Sequence, residues 1–533
     1  MSWASRRRER DRGLGQERGI IESHPDCSSR KPRNLNPPDA SVATPAATAR
    51  IIPRAAHAIS RSGISPNALR VLYRLREGGF QAFLVGGCVR DLMLGLEPKD
   101  FDVVTDALPE EVKRLFRNCR LVGRRFRLAH VFFGRDIIEV ATFRATSAPS
   151  QGDEPLPEAD PEDGEVPELD APQLEIEPAA PPARPPSQRA ARGGVGHDPG
   201  ASAALTFDAS GRILRDNIYG TIDEDVWRRD FTANALYYNI ADFSVWDYVD
   251  GAQDIAARTL KLIGDPETRF REDPVRMLRG ARFEAKLGFQ LDPATAKPIG
   301  PLRDRLAGVP PARLFDETLK LFLTGHGARS FEVLRRRGLL AGLLPTVDSY
   351  FNSHPASLVE KLLLQGLKNT DARVLADKPV SPTFLFALLL YGPIAGIIES
   401  TPPERWHDPA TILDACDRAT REAQTRLAIP KRFSLGVREM FALQPRLEHV
   451  RGRRALRLLE HPRFRAGYDL LLLRAEHGLA PREMAQWWTR LQEVSAEERG
   501  PMADALADEG GAPRAARRPG RRRRRRPRAS APA

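Results

Sequence analysis

Two neighbouring stretches of this chain carry acidic, glycine and basic residues at spacings suited to phosphoryl chemistry. Leu84-Val85-Gly86-Gly87-Cys88-Val89-Arg90-Asp91 is followed by Lys99-Asp100-Phe101-Asp102-Val103-Val104. On a strand, Asp100 and Asp102 would point the same way, roughly 6–7 Å apart. Such carboxylates can ligate divalent ions, and two ions about 3.5–4 Å apart stabilise the attacking and leaving oxygens of a phosphoryl transfer. Mg²⁺ (or Mn²⁺) suits oxygen ligands and completes its shell with substrate phosphates. A Gly86–Gly87 turn between strand and helix lets backbone N–H groups approach phosphate oxygens. Arg90 could add a charge-assisted contact to the same oxygens. Alone, an Asp-x-Asp is often a solvated strand end and a Gly-Gly pair merely a turn. Together, at this spacing, they are far more specific.

Two further motifs follow. Arg228-Arg229-Asp230-Phe231-Thr232-Ala233-Asn234-Ala235-Leu236 combines charge with an apolar pattern. Ala233, Leu236, Tyr237 and Ile240 have the spacing of a buried helical face, which places Asp230 and Asn234 together on another face. The bland alternative is an N-cap at Asp230 beside solvated arginines. Arg271-Glu272-Asp273-Pro274-Val275-Arg276-Met277-Leu278-Arg279 begins with a helix-start signal, Asp273 as cap and Pro274 at the first helical position. Arg276 and Arg279 are then neighbours on one face, either solvated or bonding a nucleotide base.

These residues need elements to hold them. The pattern predicts a helix over 66–78, a buried strand over 80–85, a helix over 88–94 and a strand over 100–105. A helix over 109–117 has Pro109 near its start and Glu110 and Glu111 in its first turn. Residues 128–133 and 137–143 read as a hairpin around Gly134. This describes a small α+β domain with helices on one side of a sheet. From Asn217 to about Ser495 the pattern is mostly helical.

Charge is uneven along the 533 residues. The segment 511–533 holds 10 Arg and no acid, whereas 151–183 holds 11 acids and no base. With a net charge of +12, the remaining body is itself basic, so nucleic acid is a plausible partner. Residues 1–50, 146–210 and 501–533 are predicted to be disordered: a basic arm, an acidic and Pro-rich insertion, and an Arg-rich tail. Cys27, Cys88, Cys119 and Cys416 are too dispersed for a disulfide framework or a CxxC metal site. The longest apolar stretch, 384–398, contains Gly392 and Pro393 and is shorter than the roughly 20 residues of a membrane span. The Arg-rich start lacks an apolar h-region, which points to a cytoplasmic protein.

In this order, the three motifs resemble the class II nucleotidyltransferase family of bacterial poly(A) polymerases and CCA-adding tRNA nucleotidyltransferases. The resemblance covers about 52–145 and 211–495. It implies an α+β fold: an N-terminal nucleotidyltransferase head, a small mixed sheet with helices, then mostly α-helical neck, body and tail domains. The expected divisions are a head over 51–145 and 211–255, a neck over 256–345 and a body with tail over 346–500. By position, Asp100 and Asp102 match the metal-binding acids, and Asp230 matches the acid of the Arg-Arg-Asp motif, often counted as catalytic. Gly86, Gly87, Arg90 and Asp91 match the triphosphate-binding turn. Arg229 and Asn234 match groups near ribose and phosphates, and Glu272, Asp273 and Arg276 match the base-selecting motif. Glu139 is a weaker candidate for a further carboxylate.

The segment 121–131, with Arg124, Arg125 and Arg127, resembles the poly(A) polymerase branch, as do 427–432, 459–465 and the Arg-rich end. The implied activity is template-independent addition of AMP from ATP to RNA 3′ ends, on mRNA or structured RNAs. The Arg-rich tail is a candidate contact for RNA, or for RNA-decay or RNA-chaperone proteins. The competing expectations are a CCA-adding enzyme and a non-catalytic RNA-binding protein.

Overall fold

Residues 82–85, Ala-Phe-Leu-Val, are buried at every position, because protein covers both faces of the strand they form. The computed structural model describes residues 48–123, 127–145, 206–207, 213–215, 219–450 and 452–508. In chain order the strands are β1 (Arg50–Ile52), β2 (Ala82–Val85), β3 (Asp102–Thr105), β4 (Cys119–Val122), β5 (Leu128–Phe133) and β6 (Asp136–Thr142). A separate pair, β7 (Thr206–Phe207) and β8 (Ile213–Arg215), precedes β9 (Leu236–Asn239) and β10 (Val245–Asp247). The main sheet has eight strands in the order β1-β10-β9-β2-β3-β6-β5-β4. β3 and β6 run parallel, and the other neighbours run antiparallel. The fold is therefore the expected mixed-sheet head followed by a helical region.

One face of the sheet packs Ala82, Leu84 and Val103 with Ala68, Val71, Leu72 and Leu75 of helix Pro66–Glu77. That helix starts as its residues dictate. The Ser65 side chain accepts from the Asn67 N–H, and Pro66 occupies the first turn. The other face packs Phe83, Val85, Val104 and Tyr237 against Ile222 and Val226 of helix Ile222–Arg228. The expectation of helices on one side only is thus corrected, and the second layer explains why β2 lacks polar alternation.

Two local readings are overturned. β3 begins at Asp102, so Asp100 lies in the preceding loop rather than on the strand. Residues 233–240 are not a helix. Thr232–Asn234 is one 3₁₀ turn, and β9 follows directly. The expected hairpin is present, with Gly134 at φ +64°. At the ends, Arg50 belongs to β1, and 501–508 continue helix Ala496–Asp508 instead of a disordered tail. The rest of the arm and tail, most of the insertion, Arg124 and Arg125 lie outside the described residues.

From Pro266 to Asp508 the regular elements among the described residues are helices, apart from the two-residue strand Gln290–Leu291. The apolar stretch becomes helices Pro382–Leu389 and Tyr391–Glu399, bent by 45°, with 385–394 buried. Among the described residues no single helix is long and apolar enough to cross a membrane. One continuous apolar cluster runs from Ile52 in the head to Leu473 in the helical region, so the two share a core.

A close approach behind the second motif positions its turn. The Asp247 carboxylate accepts from the Gly251 and Ala252 N–H groups, starting helix Gly251–Ala256. Thr232 Oγ1 donates to Asp254 Oδ2 at 2.6 Å. A Cβ on Gly251 would lie 2.2 Å from the Thr232 carbonyl oxygen, so only glycine lets this helix seat against the turn. Gly251→Ala should therefore lower stability by about 1–3 kcal/mol through overpacking. Urea unfolding checks this, and an unchanged midpoint would contradict the packing argument.

Candidate active site

The site gathers at one end of the central strands. In β3, Asp102 pairs with Val85, the last residue of β2, and on its other side lies in register with Glu139 of β6. Gly86 follows at φ +81°, a left-handed conformation that glycine adopts without a side-chain penalty. A Cβ there would lie 3.8 Å from Asp102 Oδ2, so the glycine turn and the carboxylate are immediate neighbours. A cleft of about 450 Å³ opens at this point. Gly86, Gly87, Arg90, Asp91, Asp100, Asp102, Arg229, Asp230, Asn234, Asp273 and Arg276 all line it. Three motifs separated by up to 190 residues thus converge.

Asp100 and Asp102 are both exposed to the cleft. Among the described residues, neither carboxylate accepts a side-chain hydrogen bond or joins an ion pair. The protein packed around Asp102, then the carboxylate of Glu139, push its carboxyl up to about 6; Asp100 adds to this and Arg229 opposes it. Glu139 is half exposed, with His130 Nε2 3.7 Å away, and stands beside the cleft rather than in its lining. Burial and the charge of Asp102 push the adjacent Cys88 thiol up to about 12, which makes it an inert packing group. No group of three His, Cys, Asp or Glu side chains forms a ready-made metal cluster among the described residues.

Arg90, the expected phosphate contact, lines the cleft from a buried, fixed position. It is 2% exposed. Its Nε and Nη2 donate to Asp91 Oδ1 at 2.8 and 2.6 Å, and its Nη1 donates to Asn234 Oδ1. Asp91 and Asn234 therefore hold Arg90 against the cleft wall. Arg229 is held likewise, by Asp225 Oδ2 at 2.8 Å and by the Tyr237 hydroxyl at 2.7 Å. Tyr237 in turn donates to Asp225.

Asp230 is also engaged. Arg279 donates to its Oδ2 from Nε at 2.7 Å and Nη2 at 2.5 Å, and the Phe231 N–H donates to Oδ1 at 2.8 Å. Burial alone would raise this carboxyl, but the Arg279 guanidinium holds it at about 2. Asp230 therefore joins the head to helix Val275–Leu287. Arg269 adds a second tie, donating to the carbonyls of Arg228 and Arg229 and to Glu272. Glu272 lies outside the lining and fixes Arg276, whose Nη1 also reaches the Arg269 carbonyl at 2.8 Å. Asp273 Oδ1 accepts from the Val275 N–H, a capping contact, while Pro274 takes the N-cap position. Its Oδ2 accepts from Arg313 Nη2 at 2.6 Å, which outweighs burial and keeps the carboxyl below its ordinary range.

Sequence reading passed over Asp225, Arg269 and Arg313 as site residues. Asp225 and Arg269 had weak local signals, four residues before Arg229 and three before Glu272. Arg313 had none, because only helix packing brings it to Asp273. Cys88, Lys99, Arg228, Arg279, Phe283, Lys286 and Arg313 complete the lining.

An eight-stranded mixed sheet that presents a glycine turn and paired carboxylates to a cleft closed by helices defines a nucleotidyltransferase. Residues 82–261 match the Poly A polymerase head domain, 288–351 the probable RNA and SrmB-binding site of polymerase A, and 405–529 the polymerase A arginine-rich C-terminus. The chain belongs to the bacterial poly(A) polymerase I family of these enzymes. It is 44% identical to poly(A) polymerase I of Salmonella typhi, over 95% of this chain and 97% of the relative. A CCA-adding enzyme of Lactobacillus helveticus is 29% identical over 50% of this chain and 52% of its own. A solved structure titled tRNA-processing enzyme (apo form 2) aligns with TM-score 0.49 at 19% identity, over 82% of this chain and 99% of that one.

The Asp230–Arg279 pair gives a pH prediction. Below pH 4 the unfolded carboxyl, ordinarily at 3.8, takes a proton that the folded one at about 2 refuses. The pair's contribution of about 2 kcal/mol is thus present above pH 4 and lost towards pH 2. In urea unfolding, the stability gap between wild type and Asp230→Asn should narrow by that amount over this range. A gap that stays constant would contradict the ion pair.

Proposed function

We propose that this chain is a template-independent poly(A) polymerase that transfers AMP from ATP to RNA 3′ ends and releases pyrophosphate, serving RNA processing and decay in the cytoplasm. The observation that carries this reading is the convergence of the unengaged Asp100 and Asp102 carboxylates, the Gly86 turn and the Asp273–Arg276 pair on one cleft. Asp100, Asp102 and Asp230 are its catalytic positions.

The carboxylates fit a divalent ion. They are hard oxygen donors; burial is the main cause that pushes Asp102 up to about 6, and a bound cation would offset both that burial and the added repulsion from Glu139 and Asp100. Asp100 and Asp102 would hold Mg²⁺ or Mn²⁺, with Glu139 beside them. Two ions held there supply charge stabilisation for the attacking RNA 3′-oxygen and the departing pyrophosphate.

The chain's own residues position and select. Gly86 keeps the turn bare, so triphosphate oxygens can approach its backbone. Arg90 and Arg229, fixed by Asp91, Asn234, Asp225 and Tyr237, present positive charge without reorganising as charge develops. Asp230 keeps Arg279 and the base-reading helix in register with the carboxylates. Asp273, held ionised by Arg313, accepts from an amino group on the base edge. Arg276 donates from the guanidinium nitrogens not engaged with Glu272 and the Arg269 carbonyl. The RNA 3′-hydroxyl gives up its proton to solvent as its oxygen bonds to the α-phosphorus, and the bond from that phosphorus to the bridging oxygen breaks, its electron pair leaving with pyrophosphate. Little covalent chemistry falls to the protein, and positioning dominates.

The full-length likeness to poly(A) polymerase I, against a half-length likeness to a CCA-adding enzyme, supports the first over the second. Primer extension with each NTP separately, on an RNA oligonucleotide and on a tRNA lacking its CCA end, tests the choice. A long ladder with ATP alone is expected. A few additions that require CTP and the tRNA end would overturn the proposal in favour of the CCA-adding branch. Asp102→Asn should lower AMP addition roughly a thousandfold or more while leaving RNA binding intact. Persisting activity would remove Asp102 from the metal site.

A further inference from the structure

Apart from Arg228, which donates to the Ala145 carbonyl, the cations around the cleft fall into two groups. Arg90, Arg229, Arg276, Arg279 and Arg313 are each ion-paired to a carboxylate within 3.1 Å. Lys99 and Lys286 also line the cleft, but among the described residues neither has a carboxylate within ion-pair distance. Lys99 sits on the loop before Asp100. Lys286 sits on helix Val275–Leu287, the element that carries Arg276.

Helix geometry places Lys286 relative to the base. Arg276, Arg279, Phe283 and Lys286 follow the spacing i, i+3, i+7, i+10, so they lie along one stripe. All four line the cleft. Ten residues at 1.5 Å each put Lys286 about 15 Å along the axis from Arg276. An extended nucleoside triphosphate has its base and terminal phosphates separated on this scale. The electrostatic neighbours of Lys286 are Asp91, Arg90, Arg282 and Asp100, which belong to the glycine-turn helix, the metal-site loop and its own helix. One end of the stripe therefore meets the base-reading motif, and the other meets the triphosphate turn.

We propose that Lys286 contacts substrate directly, with its ammonium donating to the β- and γ-phosphates of the bound nucleotide and retaining pyrophosphate after transfer. The inference rests on the reading that the cleft binds a nucleoside triphosphate. In the transfer, the RNA 3′-hydroxyl gives up its proton to solvent, its oxygen bonds to the α-phosphorus, and the bond from the α-phosphorus to the oxygen bridging it to the β-phosphate breaks. The electron pair leaves with pyrophosphate, beside Lys286, which stays protonated throughout. Because the lysine meets phosphates and not the base, its effect should be the same for any nucleotide the enzyme accepts.

The test uses the full chain with Lys286→Met and Lys286→Arg. Steady-state extension is measured against nucleotide, RNA primer and added pyrophosphate, with whichever nucleotide the wild type uses. Losing one charge-assisted phosphate contact should raise the KM for nucleotide roughly tenfold and weaken pyrophosphate inhibition by a similar factor, with the KM for RNA unchanged. Lys286→Arg should recover most of both. Three results would overturn the proposal: unchanged nucleotide KM and pyrophosphate inhibition, a rise confined to the RNA KM, or a lower kcat alone. A wild type that extends RNA with no nucleotide would instead remove the underlying reading, so the two failures are distinguishable.

Discussion

The buried ion pair between Asp230 and Arg279 is the contact on which the site depends. Asp230 follows helix Ile222–Arg228 of the head, whereas Arg279 lies in helix Val275–Leu287. With the Arg269 contacts to the carbonyls of Arg228 and Arg229, the pair ties the head to helix Val275–Leu287. A buried pair is weak evidence for net stability, because desolvation offsets much of the attraction. Its value lies in geometry. Breaking one side would leave an uncompensated charge in the wall of the cleft, so few other arrangements of these elements compete.

The same logic extends around the cleft. Each ion-paired guanidinium has a carboxylate that holds it in place: Asp91 for Arg90, Asp225 for Arg229, Glu272 for Arg276 and Asp273 for Arg313. Fixed charges of this kind need no rearrangement when negative charge develops beside them. Among the described residues, the cleft carboxylates Asp100 and Asp102 have no such partner. The arrangement separates groups that define the shape of the site from groups left to meet ions and substrate.

Several elements were readable because their local signals agree. Helix Pro66–Glu77 has a serine cap, a proline in its first turn and an apolar stripe, so its prediction and its structure coincide. The turn at Gly86 and Gly87 was equally legible, since strand, glycine pair and helix occur in immediate succession. The run 233–240 misled because Ala233, Leu236, Tyr237 and Ile240 happen to have the spacing of a buried helical face. Leu236, Tyr237 and Tyr238 are buried within β9, whose two faces are covered, and such a strand has the same composition as a buried helix. Asp100 was placed on a strand by alternation, but β3 begins at Asp102, so the loop rather than the pleat presents it.

The sequence by itself determined the chemistry available: a glycine turn, paired carboxylates and two charged motifs, each recognisable within about ten residues because cap, turn and strand preferences are local. Tertiary structure decided which of those groups are free. Arg90 reads from the sequence as a phosphate ligand, yet Asn234, 144 residues away, helps hold it in the wall. Asp273 gains Arg313 from a helix 40 residues on. The physical reason is that a charged side chain's role depends on what neutralises it, and in a buried cleft those partners come from whichever elements packing brings together.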